Sequence, residues 1–216
     1  MIMSLSGFKN SGKDTAAKIL VENYGFTRIA FADTLKDMAS KMYNIPRSFF
    51  DDPDKKENPI LSLPVESKDK FAEMLHSFML GEFRDEFGNP PRSSSFSQTQ
   101  SEPLYHTPRS LAILLGSINR SVRSDFWVAQ ALRQINPSYD YVITDMRYRS
   151  ELDQIVQYAK NTDQKATSVR IDRFDVSPSK DPSEVDLINV KMNFTLDNRG
   201  SVEDLTNKVH KLMKTI

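Results

Sequence analysis

The chain has 216 residues, 38% hydrophobic and 27% charged, with 29 Lys and Arg against 29 Asp and Glu. That length buries one good core with a small inserted subdomain, and the balanced charge gives no global field toward nucleic acid or an anionic membrane. The sequence contains no cysteine, which excludes disulfides, Cys-ligated zinc and thiol catalysis.

In chain order, "MIMSLSG" reads as a short buried strand breaking at Gly7. It lacks the basic start of a signal peptide, and no run approaches the roughly 18 apolar residues of a membrane span, so a cytoplasmic protein is expected. Ala16, Ala17, Ile19, Leu20 and Tyr24 keep helical spacing from Asp14 to Tyr24, and Gly25 ends the helix. "FTRIAFA" is expected as a second strand and "DTLKDMASKMYN" as a second helix, stopped by Pro46. Residues 47–66 are rich in turn formers and read as loop. "KDKFAEMLHSFMLGEF" is helical again, and 88–103, including a Ser-rich run at 93–97, is expected as a mobile loop. A helix with Thr107 as N-cap and Pro108 in its first position follows. "DFWVAQALRQI" continues as helix, "DYVITDMR" is a strand ending in Asp145, and "SELDQIVQYAK" is helical. "ATSVRI" is a strand, and Ser201 caps a closing helix over "SVEDLTNKVHKLM". Strand, glycine loop, helix, strand at the start argues for a parallel sheet covered by helices.

The loop "GFKNSGKDT" fits G-x-x-x-x-G-K between a strand and a helix, the context of a phosphate-binding loop. Its glycines let backbone N–H groups turn inward around an anion, the helix N-terminus adds partial positive charge, and Lys13 reaches the phosphates. Asp14 stands where Ser or Thr is usual, and the hydroxyl comes one place later, as Thr15. A carboxylate is a hard ligand suited to Mg²⁺. It equally suits the first turn of a helix, where the dipole favours it. "YVITDMR" delivers Asp145 and Arg147 to the C-terminal end of a strand, where parallel sheets bind ligands, with Glu151 one turn on. A surface charge pair is the simpler alternative there. Arg109 sits in the first turn of its helix, against the dipole, as a cation held for an anionic ligand would; a solvated surface arginine fits too. Trp127 lies in an apolar helical run, where core packing is its default, and His76, His106 and His210 have no ligand spacing.

"LSGFKNSGKDT", "FADTLKDMA", "TPRSLAILLG…DFWV", "VITDMRYRSELDQI" and "LDNRGSVEDL" together resemble the bacteriophage deoxynucleoside monophosphate kinases, in order and spacing, over nearly the whole chain. The resemblance implies an α/β fold: a P-loop three-layer, doubly wound parallel sheet with an inserted helical acceptor-binding region and a short lid. The core would be about 1–32 and 111–216, the insertion about 33–110 and the lid about 172–190. The reaction implied is transfer from ATP, with Mg²⁺, to a deoxynucleoside monophosphate, giving the diphosphate. Gly7, Lys9, Asn10, Ser11, Gly12, Lys13, Asp14 and Thr15 would bind ATP, with Asn198 and Gly200 against its adenine. Asp14, Thr15 and Asp145 would serve the metal. Lys36, Arg109, Trp127, Asp145, Arg147 and Glu151 would bind the acceptor, with Lys13, Arg147 and Asp145 at the reaction centre and Arg170 or Arg173 as a lid arginine. Likeness also suggests a homodimer.

Some relatives carry a second basic residue after the first in the "TPR" segment, where this chain has Ser110. The same loop serves kinases of other phosphorylated acceptors, such as phosphomevalonate or dephospho-coenzyme A, and a non-catalytic ATP-binding module is the alternative of another class.

Overall fold

The computed structural model describes residues 1–59, 61–63, 104–122, 125–173 and 185–216. The helix expected over 68–83, the loop at 88–103 with its Ser-rich run, and most of the expected lid (174–184) lie outside the described residues. The chain divides into two compact units, one of 1–34 with 125–216 and one of 35–124.

The first unit is built on a five-stranded parallel sheet. Its strands are β1 (Ile2–Ser6), β2 (Thr27–Ile29), β5 (Tyr141–Ile143), β6 (Ala166–Asp172) and β7 (Phe194–Asp197), in the order β2-β5-β1-β6-β7. β1 is central and buried at all five positions, so it reads as a continuous apolar and small-residue run rather than an alternating one. Met3 and Leu5 point to one face and join Val142, Val169 and Ile171 of the neighbouring strands. Against them pack Ala16, Ala17, Ile19 and Leu20 of α1 (Lys13–Tyr24) and Leu205, Val209 and Leu212 of the C-terminal helix α7 (Val202–Thr215). On the other face, α6 (Arg149–Asn161) packs on β1 and β6 and buries Ile155 and Ala159. α5 (Phe126–Leu132) packs on α6. Each fully buried aliphatic side chain adds roughly 1.5–3 kcal/mol.

Gly25 closes α1 at φ +71°, a left-handed conformation that favours glycine, and its N–H reaches the carbonyls of Leu20 and Val21. Ser201 caps α7: its hydroxyl accepts from the Asp204 amide at 3.1 Å while the Asp204 carboxylate accepts from the Ser201 amide at 2.8 Å.

Two expectations are corrected. The second strand stops at Ile29, and Phe31 already opens α2 (Phe31–Tyr43), because the amides of Phe31 and Ala32 are taken by Asp145. Within 47–66, read as loop, lie a short helix α3 (Ser48–Asp51), held by buried Phe50, and strand β3 (Leu61–Leu63).

In the second unit, β3 pairs antiparallel with β4 (Leu104–His106), and α3 packs on α4 (Pro108–Val122). Thr107 caps α4 as expected, its hydroxyl accepting from the Ser110 amide at 3.1 Å and the Ser110 hydroxyl accepting from the Thr107 amide at 2.9 Å.

Candidate functional site

Between β1 and α1 the chain turns through Gly7 at φ +142°, Asn10 at +64° and Gly12 at +102°. These values suit glycine and tolerate asparagine. A Cβ on Gly7 would lie 2.4 Å from the Ile171 carbonyl oxygen and 2.6 Å from Ser11 Oγ; one on Gly12 would lie 2.3 Å from Asn198 Nδ2. Among the described residues no side chain caps the N-terminus of α1, an end whose backbone amides suit an anionic ligand. Lys13 Nζ donates to the carbonyls of Gly7 and Phe8, both at 2.7 Å, which fastens the ammonium across the loop.

Two cavities adjoin this loop, and Lys13 lines both. One, of about 330 Å³, is bounded by Asn10, Gly12, Asp14, Thr15, Arg173, Asn198, Gly200 and the apolar Val202 and Leu205. The other, of about 270 Å³, lies at the C-terminal ends of β1, β5 and β6, where Gly7, Asp145, Arg147 and Arg170 meet Ser6, Met146, Asp172 and Leu187. Cations and a helix N-terminus gathered at that end of a parallel sheet suit a phosphate-bearing ligand. Among the described residues Ser6 Oγ, which lines this cavity, and Ser11 Oγ, inside the loop, are buried without a hydrogen-bond partner, and Ser6 thus has capacity for a ligand.

The other expected residues have specific local work. Asp145 accepts from Phe31 N–H on one oxygen and Ala32 N–H on the other, both at 2.8 Å, and so caps α2. Burial pushes its pKa up, against the pull of those two amides. Glu151 accepts from the amides of Arg147 (2.7 Å) and Tyr148 (3.0 Å) and closes the capping box of α6. Arg170 donates to the carbonyls of Leu187, Ile188 (2.7 Å) and Val190 (3.2 Å), pinning that backbone to the sheet. Asn198 is buried and donates to the Ser11 carbonyl at 2.8 Å. Trp127 is buried edge-on against Phe126, with centroids 4.8 Å apart, and lines neither cavity. Lys9 is exposed.

Lys36 and Arg109 belong to the second unit. Lys36 pairs with Asp51 at 2.9 Å, and Asp51 also meets Arg47. Burial alone would raise the Asp51 pKa, but the bonds and charges of Lys36 and Arg47 together hold it below the usual carboxylate value. Arg109 pairs with Glu57 at 2.8 Å, which offsets its unfavourable place in the first turn of α4.

For Mg²⁺, the hard-oxygen donors Asp14 and Thr15 line the larger cavity and Asp145 the smaller one. Among the described residues no group of three His, Cys, Asp or Glu forms a metal cluster. Mg²⁺ held by one or two protein oxygens, with phosphates and water completing its shell, fits such a donor set.

Sequence reasoning missed Ser6, Asp172 and Leu187. The first two sit at strand ends facing the ligand edge, a position that topology gives and local pattern does not.

No protein-family model matches the chain, and no curated protein matches it. Among solved structures it is similar to the APS kinase CysC of Mycobacterium tuberculosis, in a cysteine-to-alanine variant. The identity is 10%, with 99% of this chain and 96% of that chain covered, at a TM-score of 0.38. A likeness at that level adds nothing to the reading of the site. The chain's own geometry defines an α/β protein with a parallel sheet, flanking helices and a glycine-rich loop of phosphate-binding form. No described helix is long and apolar enough to cross a membrane.

Proposed function

We propose that the chain is a small-molecule kinase, transferring the γ-phosphoryl group of ATP to an acceptor that already carries a phosphate. The observation that carries this reading is the pair of cavities meeting at Lys13. A protein that only binds a nucleotide needs one of them. A phosphotransferase needs two, joined where the phosphoryl group passes.

In this reading the larger cavity takes ATP, with its base toward Val202, Leu205 and Gly200. Its phosphates run along the loop amides from Asn10 to Thr15 toward Lys13. Arg147 and Arg170 in the smaller cavity face the acceptor phosphate, with Arg173 at the rim of the larger one. Asp14 and Thr15 would hold Mg²⁺, which supplies neutralisation of the phosphate charge. An acceptor phosphate is already anionic and needs no general base. The residues therefore act by alignment and by neutralising charge that develops during transfer. Asp145 serves by holding the start of α2 beside the reaction centre.

The acceptor we propose is a deoxynucleoside monophosphate, on the strength of the five sequence segments described above. Lys36 and Arg109 are assigned to it by the same resemblance. Phosphomevalonate and dephospho-coenzyme A are the competing acceptors.

A coupled ADP-release assay with ATP and Mg²⁺ over the four deoxynucleoside monophosphates, AMP, phosphomevalonate and dephospho-coenzyme A tests both levels. Turnover on a deoxynucleotide, lost in Lys13→Ala by about 3 kcal/mol or more of transition-state stabilisation, is the expected outcome. Activity on another acceptor alone keeps the kinase and discards the nucleotide. ATP binding without transfer to any acceptor overturns the kinase.

A further inference from the structure

We propose that Asn198 is a positioning residue of the phosphate loop, fixing the orientation of the Ser11–Gly12 peptide rather than reading the nucleotide base. The inference rests on reading that loop as the phosphate site.

The Asn198 side chain is buried, and its Nδ2 donates to the Ser11 carbonyl at 2.8 Å across 187 positions of sequence. Its own backbone N–H donates to Asp172 O at 2.7 Å, one step beyond the β6–β7 pair Asp172 and Asp197. The amide is thus held by the sheet itself. The fit on the loop side is close: a Cβ on Gly12 would meet Asn198 Nδ2 at 2.3 Å, so Asn198 occupies the space that glycine leaves.

A trans peptide is planar, with its carbonyl and N–H on opposite sides. Drawing the Ser11 carbonyl toward Asn198 therefore turns the Gly12 N–H away from Asn198. An anion nest works only with its N–H groups turned to the ligand and its carbonyls turned outward. One reversed peptide exchanges a donor for a lone pair and turns attraction into repulsion. Gly12, at φ +102°, has the conformational freedom to allow such a reversal. Asn198 supplies the restraint that glycine cannot.

Asn198 also lines the larger cavity, so contact with the base is the competing role. The two separate with a ligand that has phosphates and no base. Calorimetric titration of ATP and of inorganic tripolyphosphate would be run on the wild type, Asn198→Ala and Asn198→Asp. Asn198→Asp keeps the shape and the backbone bond to Asp172 but sets an acceptor against the Ser11 carbonyl. The expected result is that both dissociation constants rise together, by up to about tenfold for Asn198→Ala, as for one lost hydrogen bond, and further for Asn198→Asp. The melting transition followed through Trp127 should stay above the assay temperature in both variants. Weakening of ATP alone, or no change in either ligand, overturns the proposal. If neither variant stays folded, Asn198→Ser is titrated by the same criterion. Wild type that binds neither ligand sinks the phosphate-loop reading instead, a separate outcome.

Discussion

At the scale of single residues, the loop is shaped by what is missing as much as by what is present. Gly12 lacks a Cβ where Asn198 sits, and its positive φ strains any other residue. Gly12→Ala should therefore cost more than about 1 kcal/mol, from backbone strain and from the displaced asparagine together. Chemical denaturation of Gly12→Ala, Asn198→Ala and the double variant separates the two contributions. The double variant should lose less than the sum, because the collision with Nδ2 is gone; strict additivity would show that the contact is not felt. Lys13 was legible from its motif, and so were the glycines. The task of Asp145 was not, because its carboxylate is directed to backbone amides that folding alone brings near, whereas Glu151 reaches amides only three and four residues back. Asp145 caps a helix whose amides lie 113 and 114 positions away in sequence. No local pattern encodes that bond.

Among elements, the helices with local stop and start chemistry were the readable ones. Gly25 after α1, Thr107 before α4 and Ser201 before α7 each mark a boundary by a bond made within a few residues. β7, by contrast, is four residues of alternating partial and full exposure, without an apolar run to betray it. Its pairing with β6 is what makes it a strand. The capping box of α7 gives a test of this local chemistry. Ser201→Ala should lower stability by about 1 kcal/mol. Asp204 has its pKa lowered, first by the Ser201 amide, then by the Ser201 hydroxyl and the charge of Lys208. A depressed carboxylate stabilises above its unfolded-state pKa and loses that contribution as pH falls through the folded value. The gap in Tm between wild type and Asp204→Ala should therefore be open at neutral pH and narrow below about pH 4. A gap independent of pH would mean that charge plays no part in the cap.

For the molecule as a whole, stability of the first unit rests on β1. Leu5 is 1% exposed at the centre of the cluster shared by α1, α7 and three strands. Leu5→Ala should cost about 2–5 kcal/mol, a large part of the roughly 5–15 kcal/mol that such domains possess. Trp127, the one tryptophan of the chain, is buried in the same unit, so its fluorescence through a urea titration reports the loss directly. A midpoint unchanged from wild type would contradict the placement of Leu5 in that cluster.

The strand order has a consequence for how the protein is made. Ile2 pairs with Tyr141 on one side and Ala166 on the other. A ribosome adding about 5–20 residues per second leaves β1 without either partner for roughly 7–27 s. The central, fully buried strand is thus made before either of its neighbours, and every residue of the second unit is translated in the interval. Chaperone demand during synthesis follows from that waiting time, and it would ease in a circular permutant that opened ahead of α5, so that β5 and β6 were made before β1.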